Sequence, residues 1–174
     1  MTVRYALTAA LVSSLLLVGC ATPMKPLDYH ASQPYVPVTL ALNQGGFVVR
    51  LEGLKQREVF KALMNTGAFS TLNTGFNHTG YTLMLASVDE KGDNYVWLAN
   101  SVTVFTLPLP YPYKEGVRAT LYKDGQAVKT YRYSREGVGI SAWYAPSPNI
   151  EASRQMLDQL MVDLARDKVI PYQR

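Results

Sequence analysis

The sequence predicts one α/β domain of the α+β type, a two-layer sandwich of two helices on a mixed or antiparallel sheet of four or five strands. Three observations support this. Short runs rich in Val, Thr, Tyr and Leu are typical of strands. An Asp-Gly pair between two alternating runs is the strongest short-range signal of a hairpin. Two stretches of the chain have apolar side chains at helical spacing, which indicates two amphipathic helices.

The first half of the predicted domain combines a helix with several strands. Residues 38–42 alternate and are predicted as the first strand, and residues 47–51 are interpreted as a second short strand or as a loop on the core. From Lys55 to Thr66, apolar side chains recur one turn apart. This spacing predicts a helix, which Gly67 is placed to end in the left-handed conformation. Two more strand candidates follow, at 69–73 and 81–88.

The second half contains the predicted hairpin. Residues 95–107 are rich in Val, Thr, Trp and Phe and are predicted as a strand. Proline cannot donate to a sheet ladder, so three prolines at alternate positions predict an edge or a crossover loop: Pro108, Pro110 and Pro112. The runs 117–122 and 127–133 are separated by Lys123-Asp124-Gly125-Gln126. This arrangement predicts two strands joined by a tight turn.

The C-terminal segment predicts the second helix. Ser147 can cap it, Pro148 suits its first position, and Glu151 lies in its positively polarised first turn. Five apolar side chains form one stripe along it: Ile150, Leu157, Leu160, Met161 and Leu164. The stripe predicts that one face of the helix is buried. Residues 169–170 are predicted to add a brief terminal strand.

The N-terminus is predicted to be a secretory signal that ends in a lipid attachment site. One basic residue, Arg4, precedes an apolar run from Ala6 to Gly19, which is shorter than the roughly 20 residues that span a membrane. The order Leu17-Val18-Gly19-Cys20 resembles the lipobox of bacterial lipoproteins. The resemblance implies that residues 1–19 are cleaved off and that Cys20 carries a thioether-linked diacylglycerol. A simple secretory signal or an uncleaved anchor is the alternative.

The residue after the cysteine bears on the compartment. In Gram-negative lipoproteins an Asp at this position is associated with retention in the inner membrane, and here the residue is Ala21. The chain thus resembles the class of lipoproteins sorted to the outer membrane. We therefore expect a lipid-anchored protein on the outer membrane that faces the periplasm.

Residues 20–37 are predicted to be a lipidated, proline-rich tether outside the domain. This stretch carries four prolines after the cysteine: Pro23, Pro26, Pro34 and Pro37. Proline fixes φ and lacks a backbone donor, so neither a helix nor a central strand is expected here. Residues 38–174 then form a single globular periplasmic domain.

Composition and motifs give no indication of an enzyme. Cys20 is the only cysteine, so no thiol remains once it is acylated. His30 and His78 have no further metal-ligating side chain near them in the sequence, and no Gly-x-Ser-x-Gly motif occurs. We therefore expect no catalytic residue, no metal site and no cofactor. The net charge of +4 comes from scattered basic residues, which is no indication of nucleic-acid binding and only a weak one of anionic lipid or polysaccharide.

Aromatic side chains in the second half are the candidates for an interaction surface. Tyr and Trp combine a large apolar area with a polar tip and are frequent at interfaces. The candidates are Tyr111, Tyr113, Tyr131, Tyr133, Trp143 and Tyr144. For Tyr131 and Tyr133, two residues apart on one strand face, packing beneath a helix is an equal alternative. Trp143 and Tyr144 follow the predicted hairpin and favour an interface.

The order of elements resembles a group of bacterial envelope proteins. The group includes the TolB N-terminal domain, the curli secretion-channel lipoprotein and lipoprotein activators of penicillin-binding proteins. The resemblance rests on residues 59–69 and on the hairpin from Val117 to Tyr133, whereas the stretch 45–53 between the first strand and the helix departs from it. No catalytic residues come with it, because that group works by binding and assembly.

From these observations we expect a non-enzymatic accessory or assembly factor of envelope biogenesis or secretion. It would be held on the membrane by the lipid on Cys20 and would contact an envelope protein or a glycan, with homo-oligomerisation left open. A periplasmic small-ligand-binding lipoprotein is the alternative and would need a concave apolar cavity. A hydrolase is the third and least supported option.

Overall fold

The computed structural model describes residues 24–42, 56–89, 107–142, 145 and 148–174. Its elements are β1 (Val38–Leu42), α1 (Gln56–Asn65), β2 (Leu72–Thr74), β3 (Tyr81–Asp89), β4 (Leu109–Lys123), β5 (Gln126–Ser141) and α2 (Pro148–Asp167). The predicted α+β class is confirmed: one open, mixed five-stranded sheet is combined with two helices. None of the described helices is long and apolar enough to cross a membrane.

The sheet has the strand order β2-β1-β3-β4-β5. β1 runs parallel to both β2 and β3, whereas β3, β4 and β5 form an antiparallel meander. The register places Leu40, Leu83 and Leu121 side by side across three strands. Because side chains alternate between faces, this row fixes one face of the sheet as the core face.

One hydrophobic core lies between that face and the two helices. α1 contributes Val59 and Leu63, both fully buried. Most of the predicted stripe on α2 is buried as well, together with Met156: Leu157, Leu160, Met161 and Leu164. The helical spacing of apolar side chains thus predicted the buried face of α2 correctly.

α1 ends as its sequence predicts. Gly67 adopts a φ of 69°, in the left-handed region that glycine tolerates best. The Thr66 hydroxyl donates to the carbonyl of Leu63 at 2.6 Å and accepts from the Ala68 amide at 3.2 Å. These bonds satisfy polar groups at the end of the helix and direct the chain towards β2. That strand is shorter than predicted, and Phe69 instead forms a single bridge with Tyr35.

The Asp-Gly hairpin is confirmed and is longer than predicted. Asp124 and Gly125 both have positive φ, 52° and 79°, as a type I′ turn requires. β4 begins at Leu109, so Pro110 and Pro112 lie in a strand, and of the two predicted alternatives the crossover loop is wrong. The two prolines are two residues apart, so the backbone N–H groups that they lack would both lie on the same edge of β4. The described pairing of β3 with β4 ends at Asp89 and Glu115. Beside the two prolines, that edge of β4 therefore has no described hydrogen-bonded partner strand.

Residues 24–37 pack against the domain, which corrects the expectation of a free tether over this stretch. Leu27 is 3% exposed and Tyr35 is fully buried, where its ring stacks on Tyr172 with the centroids 5.1 Å apart. The Tyr35 amide donates to the carbonyl of Ala68 at 2.7 Å. Proline did disfavour regular secondary structure here, but it did not prevent burial of the apolar side chains between the prolines.

Several predictions fall outside the described residues. These are the signal at 1–19, Cys20, the strand or loop at 47–51, nearly all of the strand at 95–107, and the aromatic pair Trp143 and Tyr144. The prediction of a brief terminal strand at 169–170 is wrong, because these residues do not pair with a strand. The chain instead forms one antiparallel bridge, between Tyr172 and Tyr35.

Candidate interaction surfaces

In the described part of the chain, the far end of the hairpin is a two-stranded ribbon. Residues 109–114 of β4 pair with residues 136–141 of β5, whereas the pairing of β3 with β4 ends at Asp89 and Glu115. We call these two paired segments the ribbon. A two-stranded ribbon has little core of its own, so cross-strand side-chain contacts contribute much of its order.

One face of the ribbon carries two of the predicted interface residues. Tyr111 lies opposite Gly139, and Tyr113 lies opposite Gly137. A Cβ at Gly137 would be 2.9 Å from the Tyr113 hydroxyl oxygen, so the phenol ring lies directly over this glycine. An aromatic ring over a cross-strand glycine covers backbone that would otherwise be exposed. Both tyrosines are half-buried, and their role in an interface stays a prediction.

The other face of the ribbon is exposed, and four of its six side chains are apolar. Val138 is 72% exposed and Ile140 is 53% exposed, and their register partners are Pro112 and Pro110. We call these four residues the apolar stripe. The sequence signal was present, since Gly137-Val138-Gly139-Ile140 alternates. The short predicted strand 127–133 stopped before it, so sequence reasoning missed this surface.

Tyr131 and Tyr133 do not belong to an exposed surface. They lie on the core face of β5 beneath α2, where the Tyr131 hydroxyl donates to Asp167 Oδ2 at 3.0 Å and the Tyr133 hydroxyl donates to Asp163 Oδ2 at 2.7 Å. Desolvation, with a smaller contribution from these carboxylates, raises the pKa of both phenols above the ordinary value. Of the two alternatives, packing beneath a helix is therefore the correct one.

We expect Tyr133→Phe to lower the free energy of unfolding by about 1–2 kcal/mol, because it removes a hydrogen bond to the buried carboxylate of Asp163. Asp163 keeps contacts to Gln159 and Arg166, which limits the loss. Urea denaturation measures the difference. The control is Tyr122→Phe, a ring that packs edge-on against Phe76, and we expect a change within about 0.5 kcal/mol there. Equal losses in the two variants would contradict the assigned role of the hydroxyl.

The described residues contain no group of three His, Cys, Asp or Glu side chains that could hold a metal ion. The His78 ring packs edge-on against Phe76, with the centroids 5.1 Å apart. His30 is exposed in the N-terminal segment. In the described parts of the chain, the two histidines thus lie in separate surroundings.

The larger of two described cavities is an open groove of about 630 Å³ between the N-terminal segment and α1. Met24 and Pro26 line one side, and Arg57, Glu58 and Lys61 line the other. Charged side chains on a helix surface do not make the concave apolar site typical of small-ligand binding. This groove therefore gives no support to the ligand-binding alternative.

Comparison with known proteins gives no family assignment. No known protein family matches the sequence, and no curated protein matches it. Among solved structures, a DUF330 protein from Xanthomonas campestris is similar with a TM-score of 0.46 and 12% identity, over 82% of this chain and 89% of that one. A minor lipoprotein from Acinetobacter baumannii has a TM-score of 0.37 and 12% identity, over 82% and 98%. A Helicobacter pylori protein described as a neuraminyllactose-binding hemagglutinin homolog has a TM-score of 0.30 and 11% identity, over 83% and 85%.

Proposed function

We propose that this protein is a non-enzymatic accessory factor of the bacterial envelope, anchored by a lipid on Cys20 to the outer membrane and facing the periplasm. Its working surface is the ribbon, and its partner is an envelope protein. The observation that carries the proposal is the apolar stripe, with Val138 72% exposed at its centre. An exposed apolar group on a projecting ribbon costs solubility, and burial against a partner offsets that cost.

The ribbon and Pro26 of the N-terminal segment both lie near the start of α2. α2 runs antiparallel to β5, because Tyr131 contacts Asp167 near the end of α2. At the other end, Ser153 Oγ lies 3.5 Å from Glu115 Oε2, next to the ribbon. The start of α2 also holds the N-terminal segment, since Arg154 donates to the carbonyl of Pro26 at 3.4 Å.

The reach of the chain supports a position of the ribbon near the membrane. Cys20 precedes Met24 by four residues, which span at most about 14 Å when fully extended. Met24 packs on the core of the domain, so a lipid on Cys20 would hold this end of the domain close to the bilayer. The apolar stripe would then meet its partner at the membrane surface.

The open edge of β5 favours a protein partner over lipid. β5 is the last strand of the sheet, and along its 16 residues no further described strand pairs with it. Such an edge offers backbone donors and acceptors that an added strand can satisfy. Lipid hydrocarbon offers no partner for them, so burial in the bilayer would leave them unsatisfied. A protein can cover the apolar stripe and pair with the edge at the same time.

The test is photocrosslinking in intact cells from position 138. We expect a photoreactive residue at Val138 to give a discrete protein adduct and one at Val128 to give none. Val128 is also an exposed valine on β5, 50% exposed, but it lies at the opposite end of the strand. The adduct should disappear when Ile140→Asp is added, because a carboxylate beside the contact would have to be desolvated. Adducts with lipid only, or equal protein adducts from both positions, would contradict the proposal.

A further inference from the structure

Two arginines stand directly opposite each other on the face of the sheet away from the helices. Arg118 of β4 and Arg132 of β5 are register partners, and their neighbours Ala119 and Tyr131 are buried on the core face. Both arginines are exposed, and neither forms an ion pair or hydrogen bond with any described residue. Like charges directly across two strands are destabilising. An anion held between them would remove that repulsion.

A depression lies beside this pair. Gly116 is the next residue of β4 on the same face, and a Cβ there would lie 3.1 Å from the carbonyl oxygen and 3.2 Å from the Cβ of Val88. The absence of a side chain at Gly116 therefore permits the close approach of β3 and leaves a depression in the surface of the sheet. The resulting cavity measures about 220 Å³, and Arg118, Arg132 and Ser134 are among the residues that line it.

The polar lining is dominated by donors. Each guanidinium presents several N–H groups in a planar fork, and the Ser134 hydroxyl can donate as well. Glu115 also lines the cavity. Its carboxylate, however, is on the core side of the sheet, where Oε2 lies 3.5 Å from Ser153 Oγ. The next acidic residue on the same face, Glu136, has Lys114 as its register partner.

We propose that Arg118, Arg132 and the depression at Gly116 form a binding site for a phosphate group. A carboxylate is planar and has two oxygens, and one arginine fork can engage both of them. A tetrahedral phosphate has enough oxygens to accept from two forks and from the Ser134 hydroxyl at once. Side chains on adjacent strands begin about 5 Å apart, a separation that two long arginines close around one such group.

The site is separate from the ribbon. The two share no residue, and Pro112, the β4 residue of the apolar stripe nearest to the site, precedes Arg118 by six residues, which corresponds to about 20 Å along a strand. The phosphate can belong to a phospholipid headgroup or to a soluble phosphorylated compound. The inference needs neither the lipid anchor nor the ribbon partner, so it can fail or hold independently of the proposed function.

The test is titration of the purified full-length protein in a nonionic, phosphate-free detergent with inorganic phosphate and glycerol 3-phosphate, with acetate as the carboxylate control. We expect phosphate to bind and to raise the Tm, and acetate to bind at least tenfold more weakly. Arg118→Gln and Arg132→Gln should each weaken phosphate binding by about tenfold or more. Arg174→Gln, at the exposed C-terminal residue, should leave it unchanged.

Stability separates loss of the site from loss of the fold. Removing one of two like charges should leave the Tm without phosphate equal or higher, while the increase caused by phosphate disappears. Ser134→Ala should have a smaller effect, with intact folding and a severalfold loss in affinity for phosphate. Phosphate binding that is unchanged in Arg132→Gln, acetate binding as tight as phosphate binding, or no binding at millimolar phosphate would overturn the inference.

Adding phosphatidylglycerol to the detergent micelles identifies the source of the phosphate. Displacement of soluble phosphate by this lipid, abolished in both arginine variants, would assign the site to a phospholipid headgroup. Binding of soluble phosphate that is insensitive to phosphatidylglycerol would assign it to a soluble phosphorylated compound. Either result supports the site only if it depends on Arg118 and Arg132.

Discussion

Cys20→Ser is expected to move the protein from the membrane fraction to the soluble fraction. Burial of acyl chains contributes roughly 0.8 kcal/mol per methylene, so two or three chains form a lasting anchor and their loss leaves none. The fold should be unaffected, since the described residues of the N-terminal segment contact the core from Met24 and Leu27 onwards. Fractionation and acyl-chain labelling measure the first effect, and thermal unfolding measures the second.

The control for this variant is Thr22→Ala, which changes a nearby side chain and keeps the cysteine. It should stay in the membrane fraction and incorporate the acyl label. A Cys20→Ser protein that still sediments with membranes, or a wild-type protein that takes up no acyl label, would refute the lipid anchor. The proposed position of the ribbon near the bilayer would then lose its basis as well.

Arg154→Met should be the most destabilising change on the helix surface, with a loss of about 3 kcal/mol in the free energy of unfolding. The Arg154 side chain is only 12% exposed and forms ion pairs with Glu151, Asp28 and Asp158. Asp158 in turn accepts from the amides of Asp28 and Tyr29, at 2.8 and 3.1 Å. Removing the guanidinium leaves Asp158 partly buried without its counter-charge. The N-terminal segment should then detach more readily from α2.

Urea denaturation and hydrogen exchange at the Asp28 and Tyr29 amides check this expectation. The matched control is Arg166→Met, an ion-paired arginine on the same helix that is 68% exposed. We expect it to cost less than about 1 kcal/mol, because solvent screens exposed pairs. Equal losses in the two variants, or unchanged exchange at the two amides in Arg154→Met, would refute the role of Arg154.

The pH dependence of the free energy of unfolding provides a second test of the ion pairs around Arg154. The hydrogen bond from Arg154 holds the pKa of the Glu151 carboxyl below its ordinary value. A carboxyl whose pKa is lower in the folded protein stabilises the fold above its unfolded pKa, and that contribution is lost as the pH falls. In Arg154→Met the pKa of Glu151 should be lowered less, because its largest cause is gone, so stability should fall less steeply on the acid side than in the wild type.

The features predicted correctly depend on neighbours close in sequence. The turn at Asp124-Gly125, the end of α1 at Gly67 and the stripe on α2 each follow from residues within a few positions of one another. Patterns of this kind report local conformation and which face is apolar. They were sufficient to predict the fold class, the hairpin and both helices.

Contacts between distant residues could not be predicted in this way. The N-terminal segment packs on α2 because Asp158 accepts from the amides of Asp28 and Tyr29, more than a hundred positions away in the chain. The prolines of β4 lie in the part of that strand beyond Glu115, where its described pairing with β3 ends. Neither fact has a signal in the local sequence, since each depends on where another element stops or starts in space.

By itself, the sequence determined the class of the fold, its hairpin and helices, and the resemblance of its N-terminus to a lipoprotein signal. The tertiary structure alone decided which residues of β5 face the core. A register shift between Leu121 and Tyr122 adds one residue, Val128, to β5. Side chains alternate with a period of two, so this extra residue sets which face each later side chain takes. It puts Tyr131 and Tyr133 beneath α2 and leaves Arg132 opposite Arg118 on the exposed face.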